Sequence, residues 1–249
     1  LLDYAAPRDF APSADAPRGV GEHPHRGFET VTIAYQGVIE HRDSAGHRGR
    51  LGTGDVKWMT AASGVVHDEK LGLDFTRTGG MLEMVQLWVN LPAKLKMSKP
   101  RYQDLPGRDI PEVGLAGGAG SAGVSAGAFE GAKGPAKTFT PVQLWDLTLK
   151  AGKPVEFGPA DGHNALLLVQ RGAVELNGSA SVGASELAVL GRQGTLTLKA
   201  AEDSRALLMS GEPIDEPVAG YGPFVMNTRA EIEQAVRDYQ GGRMGRLDP

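Results

Sequence analysis

HPHRGFETV, residues 23–31, is the stretch on which the reading of this chain turns. Two histidines flank a proline, and the run then becomes strand-like. The chain holds only 6 histidines, so His23 and His25 one residue apart call for a reason. Residues i and i+2 of an extended chain point to the same face. Pro24 cannot donate to a β-ladder, which places the pair on an edge or at a strand start. The spacing recurs in His67-Asp68-Glu69, just after Ser63-Gly64-Val65-Val66. There His67 and Glu69 share one face and Asp68 points away. Two such pairs on neighbouring strands converge into a site of three imidazoles and one carboxylate. Such a site keeps one or two coordination positions open for water, oxygen or substrate. That suits non-haem iron or a related ion better than a closed structural zinc site. A lone H-x-H is usually incidental; the second pair, in a strand-and-glycine context, carries the metal reading.

Short strand-like runs surround these pairs. Phe28 to Tyr35 is rich in β-branched and aromatic residues. Val38 to His41, Val56 to Met59 and Met81 to Val89 follow, with glycine or proline between them. The spacing predicts a barrel or sandwich. Leu91 to Pro111 loses the pattern and carries Pro100, Pro106 and Pro111, which marks an interdomain connection. A second strand-rich block holds Leu144 to Leu149, Leu166 to Gln170, Ala173 to Leu176, Ala188 to Leu190 and Leu196 to Leu198. Two halves of this kind predict a duplicated fold, with domains at 1–104 and 105–249. One helix is clear: Thr228 and Glu231 form a capping box, and Ile232, Ala235, Val236 and Tyr239 form one apolar face before Gly241-Gly242.

Composition narrows the function classes. The chain has 249 residues, 41% hydrophobic and 22% charged, with a net charge of −4. This is ordinary for a globular protein and argues against direct nucleic-acid binding through phosphates. Lys94, Lys96, Lys99 and Arg101 cluster around Pro100 and read as a solvated linker. No apolar run approaches the roughly 18 residues of a membrane span. LLDYAAPRDF shows no secretory signal, and the missing initiator methionine reads as a trimmed N-terminus. The chain has no cysteine, which excludes disulfides and thiolate ligands and is compatible with the cytoplasm, the expected compartment. A metal must then be held by nitrogen and oxygen.

Other candidates are set aside. Gly118 to Gly123 spells G-x-G-x-x-G but lacks a strong strand before it and a helix after it. His41 and His47 read as surface or hydrogen-bonding residues. His163 has no companion ligand, so no metal is expected in the second domain. Trp58, Trp88 and Trp145 read as core.

HPHRGFETVTIAYQGVIEHRDSAGHRGRLGTGDVKWMTAASGVVHDE, residues 23–69, resembles the pirin family, a branch of the cupin superfamily. QLWVNLPAKLKM and EPVAGYGPFVMNTRAEIEQAVRDYQGGRMG are similar to that family's later segments. The resemblance spans nearly the whole chain, with the extreme N-terminal strand shortened. It implies an all-β bicupin: two jelly-roll β-barrels face to face, with a C-terminal helix. It implies a metal in the first barrel, Fe(II) foremost, with Mn, Ni, Cu or Zn as other candidates. The family's ligand pattern falls on His23, His25, His67 and Glu69. The general cupin pattern would use Glu29 instead, so Glu29 stays open as a ligand or as a partner orienting a histidine. The implied activity is a dioxygenase that opens a flavonol such as quercetin, or a similar enolisable aromatic, with dioxygen. Glu69 would then be both ligand and base. The alternative is a metal-dependent, redox-sensing regulator whose partner is a transcription factor or metabolic enzyme.

Overall fold

The computed structural model describes residues 1–247. The chain divides into two compact units, Leu1–Gly107 together with the described residues from Ile214 onward, and Arg108–Pro213.

The barrel of the first unit is built from two antiparallel sheets, and a short hairpin, Ala219–Tyr221 with Phe224–Met226, adds to the unit. The larger sheet runs in the order β1 (Leu2–Phe10), β8 (Gly80–Asn90), β3 (Phe28–Gln36), β6 (Val56–Thr60), β9 (Arg101–Leu105). The smaller runs β2 (Gly19–His25), β7 (Val65–Leu71), β4 (Ile39–Asp43), β5 (Arg48–Leu51). The chain passes repeatedly from one sheet to the other, the jelly-roll arrangement that the family resemblance implies and one form of the barrel or sandwich that the strand spacing predicts. β3 is buried from Phe28 to Tyr35, as its β-branched and aromatic composition requires of a central strand. Gly27 makes the corner between β2 and β3 at φ +89°, and a Cβ there would stand 1.9 Å from the Val225 carbonyl oxygen. Only glycine meets both demands.

The second unit repeats the design. Its six-stranded sheet includes Val142–Leu149, Asn164–Arg171 and Ser204–Gly211, and its four-stranded sheet includes Ala173–Leu176 and Leu196–Ala200. Trp145, Leu167 and Leu208 of one sheet pack with Val174 and Leu198 of the other. Gly118 to Gly123 runs from a 3-10 turn into the strand Gly120–Ala126, with no helix after it. That context is wrong for a dinucleotide site. Among the described residues no helix is long and apolar enough to cross a membrane.

Two expectations need correction. The stretch from Leu91 to Pro111 is not all linker, because Arg101–Leu105 is β9, paired with β6. Lys96 within it is not solvated. It is 1% exposed and donates to the carbonyls of Gly27 and Val225 and to Asn90 Oδ1. Three converging acceptors replace the water that an ammonium loses on burial.

The second correction concerns the C-terminus. The sequence assigns it to the 105–249 domain, but from Ile214 it packs into the first unit. Phe224, Met226, Ile232, Ala235 and Met244 bury against Val66 of β7. Arg26 reaches the helix Arg229–Gln240, where its Nη1 donates to Asp238 Oδ2 at 2.7 Å. The capping box of Thr228 and Glu231 forms as predicted, whereas Tyr239 is exposed and Asp238 is the buried member of that last turn.

Candidate metal centre

Strand register brings the three histidines together. β2 slips by one residue between Val20 and His23, so His23 rather than Glu22 stands opposite His67. His25 lies two residues on, on the same face. The ring centroids are 4.7 Å apart for His23–His25, 4.3 Å for His23–His67 and 4.9 Å for His25–His67. One ring nitrogen from each lies within 4.8 Å of the others, a group that could hold a metal ion.

The hydrogen bonds fit that use. His23 Nδ1 donates to the Gly21 carbonyl at 2.7 Å, and His25 Nδ1 faces the Pro223 carbonyl at 3.4 Å. With Nδ1 carrying the proton, each ring has its Nε2 lone pair free, the usual preparation of a metal-binding imidazole. Those two Nε2 atoms are 3.1 Å apart. Both ring nitrogens of buried His67 lack a protein partner. Buried polar atoms without partners call for an explanation, and a cation between the rings supplies one. Burial lowers His25 to about 4, with His23 adding to it, and holds His67 well below the ordinary imidazole range. Both are neutral at pH 7, the form a metal needs.

Glu69 is buried near the histidines but outside the three-nitrogen group. Its carboxylate turns to the larger sheet. Gln86, Thr32 and Lys57 form one register row across β8, β3 and β6. All three donate to it: Gln86 Nε2 at 2.7 Å, Thr32 Oγ1 at 3.3 Å, and Lys57 through a buried ion pair. Burial alone would raise the Glu69 pKa; Lys57, His67 and the hydrogen bonds outweigh it and hold the group well below the usual carboxylate range.

Glu29 does not join the centre. Phe28 and Thr32 face His25 and Glu69, so Glu29, one step out of phase on β3, faces the other way. It accepts from Thr60 Oγ1 at 2.6 Å, and Arg101 lies 3.8 Å away. The corner at Gly27 breaks the parity that a straight strand from His25 would have kept.

Of the two readings of His41, surface or hydrogen-bonding, the second holds. His41 stands opposite Glu69 in the β4–β7 register, is 4% exposed, and meets the Tyr102 hydroxyl, which in turn donates to Asp104. His47 binds Asp43 at 3.0 Å, and His163 meets Ser210 Oγ at 3.2 Å. Trp58 and Trp145 are core, but Trp88 is half-buried at the site. It stacks on Phe28 at 4.3 Å and meets His25 in a T-shaped contact at 5.3 Å. The sequence reading missed Lys57, Gln86 and Trp88. The signal was present: a lysine and a glutamine sit inside otherwise apolar strands, VKWMT and GMLEMVQLWVN.

A cavity of roughly 410 Å³ opens beside the histidines. Val20, Ile39, Leu71, Leu82, Met84 and Trp88 make its wall mostly apolar, and its polar lining includes His23, His25, Glu69 and Gln86.

Two double-sheet barrels in one chain, with a three-histidine cluster in the first, define a bicupin with a candidate metal centre. Comparison with known proteins gives the family. The model "Pirin" matches residues 1–89, and "Pirin C-terminal cupin domain" matches 144–245. A Pseudomonas aeruginosa protein provisionally named quercetin 2,3-dioxygenase is 53% identical over 98% of this chain and 85% of its own. A pirin-like protein of Solanum lycopersicum is 43% identical over 94% of this chain and 79% of its own. The crystal structure of quercetin 2,3-dioxygenase from Acinetobacter baumannii superposes with a TM-score of 0.95 at 46% identity, covering 99% of this chain and 86% of that one. The chain belongs to the pirin family.

Proposed function

We propose that this pirin is a metal-dependent dioxygenase that opens a flavonol, or a similar enolisable aromatic, with dioxygen. One observation carries the reading: three imidazoles cluster closely enough to hold one ion, His67 with both ring nitrogens unpartnered, and two of them, His23 and His25, line a mostly apolar cavity. Two of the relatives above bear the name quercetin 2,3-dioxygenase, which supports it. His23, His25 and His67 are the ligands, and Glu69 is the candidate for fourth ligand and for base. Fe(II) is the first candidate ion, ahead of Mn, Ni, Cu and Zn. Bound there, the ion supplies Lewis acidity toward an enolic oxygen and a redox route to dioxygen.

The chain's own residues do the rest. Val20, Ile39, Leu82, Met84 and Trp88 offer apolar surface to a planar ring system and keep water from it. A carboxylate has about four lone-pair positions. Thr32, Lys57 and Gln86 occupy three of those on Glu69. One remains to accept the substrate's hydroxyl proton, and ligation in addition requires Glu69 to release one of these donors.

The test is protein stripped of metal and reloaded with Fe(II), Mn(II), Ni(II) or Cu(II). Bleaching of quercetin coupled to oxygen uptake is expected in loaded protein alone. No ring opening of any flavonol with any ion sinks the dioxygenase reading and leaves the regulatory one. Metal analysis of His67→Ala checks the site separately: the variant should purify without metal, and full retention would remove His67 from the ligand set.

A further inference from the structure

We propose that Lys57 is a positioning residue of the metal centre: its buried ammonium holds Glu69 away from the three histidines. Ligation by Glu69 then requires the carboxylate to give up that partner. The inference rests on the three-histidine centre proposed above.

Register places Glu69 two residues from His67 on β7, so its side chain starts on the metal-facing side. Its oxygens nevertheless lie outside the three-nitrogen group. What draws them off is the Gln86–Thr32–Lys57 row of the opposite sheet. Gln86 and Thr32 are neutral and could exchange partners at small cost. Lys57 is different. It is 0% exposed, so its ammonium cannot move to water, and a buried charge separated from its counter-charge is costly. Charge balance sharpens the point. The Lys57–Glu69 pair is neutral, and a divalent ion among three neutral imidazoles adds two positive charges beside a third. Removing the ammonium frees the carboxylate and deletes the like-charge repulsion at once. Lys57 thereby lowers metal affinity and keeps a coordination position open for substrate or oxygen.

Co(II) alone is the probe, because its visible absorption reports ligand number and geometry while chelator competition gives its Kd. Lys57→Met should bind Co(II) about tenfold tighter or better, since a like charge is lost in a low-dielectric site. Its Co(II) spectrum should shift as Glu69 enters the coordination sphere. Both effects should vanish in the Lys57→Met/Glu69→Gln double variant. Lys57→Gln keeps a neutral donor toward Glu69 and should move the affinity in the same direction, which guards against poor folding of the first variant. Co(II) affinity and spectrum unchanged, or weaker binding, in folded Lys57 variants overturns the proposal. Failure of both variants to fold assigns Lys57 a purely structural role and overturns it too. His67→Ala separates the premise: if that variant still binds Co(II) as wild type does, the three-histidine centre has failed, whatever Lys57 does.

Discussion

His25 is kept neutral by burial, which lowers it to about 4 from an ordinary value of 6.5, with His23 adding to the effect. The unfolded chain therefore binds a proton between pH 6.5 and about 4 that the folded chain refuses. Stability linked to this group is complete above that window and is lost as pH falls through it, by about 3 kcal/mol over its full width. His41, lowered to about 3 mainly by burial, acts with the same sign. Chelator-stripped protein should accordingly show a lower urea midpoint near pH 4.5 than near neutrality; equal midpoints would show that these rings are not buried as neutral imidazoles. The histidine pairs were legible at this scale because i, i+2 spacing fixes a shared face. The direction of Glu69's carboxylate was not, because Lys57, Thr32 and Gln86 are 12, 37 and 17 residues away along the chain.

At the scale of elements, period and punctuation carried most of the reading. β3, β6 and β8 fall within a residue or so of the predicted runs because each is a dense apolar or β-branched stretch bounded by turn residues. The C-terminal helix starts where its capping box says. Thr228→Ala should cost about 1 kcal/mol by loss of the cap, read as a shift in urea midpoint; no shift would mean that packing alone holds the helix start. The corner at Gly27 is harder to read ahead of structure. Gly27→Ala combines a left-handed φ with a collision on Val225, so it should cost more than about 1 kcal/mol. It should also disturb His25, two residues away. Wild-type stability and metal content in that variant would rule out the steric argument.

At the scale of the whole molecule, the C-terminal segment serves the first unit although it follows the second in sequence. Its helix completes an apolar cluster on Val66, and Pro223 offers its carbonyl to His25. Asp238 anchors the return by binding Arg26, whose Nε also donates to the Ser63 carbonyl. Asp238→Ala strands a buried guanidinium and should cost about 3 kcal/mol. Urea unfolding measures this, and a change within error would show that the pair contributes nothing net.

The sequence by itself determined the strand-rich class, the helix and the shared faces of the histidine pairs, and it suggested the duplication. Each depends on local period, spacing or turn chemistry, which a linear string records. Only the tertiary structure decided that Glu29 turns away, that Lys96 is buried, that Glu69 is paired with Lys57, and that the described segment from Ile214 belongs with the first unit. Those outcomes depend on register slips, a glycine corner and contacts between strands far apart in the chain. They are set by which buried charges must find partners, and that is settled when the sheets close on each other.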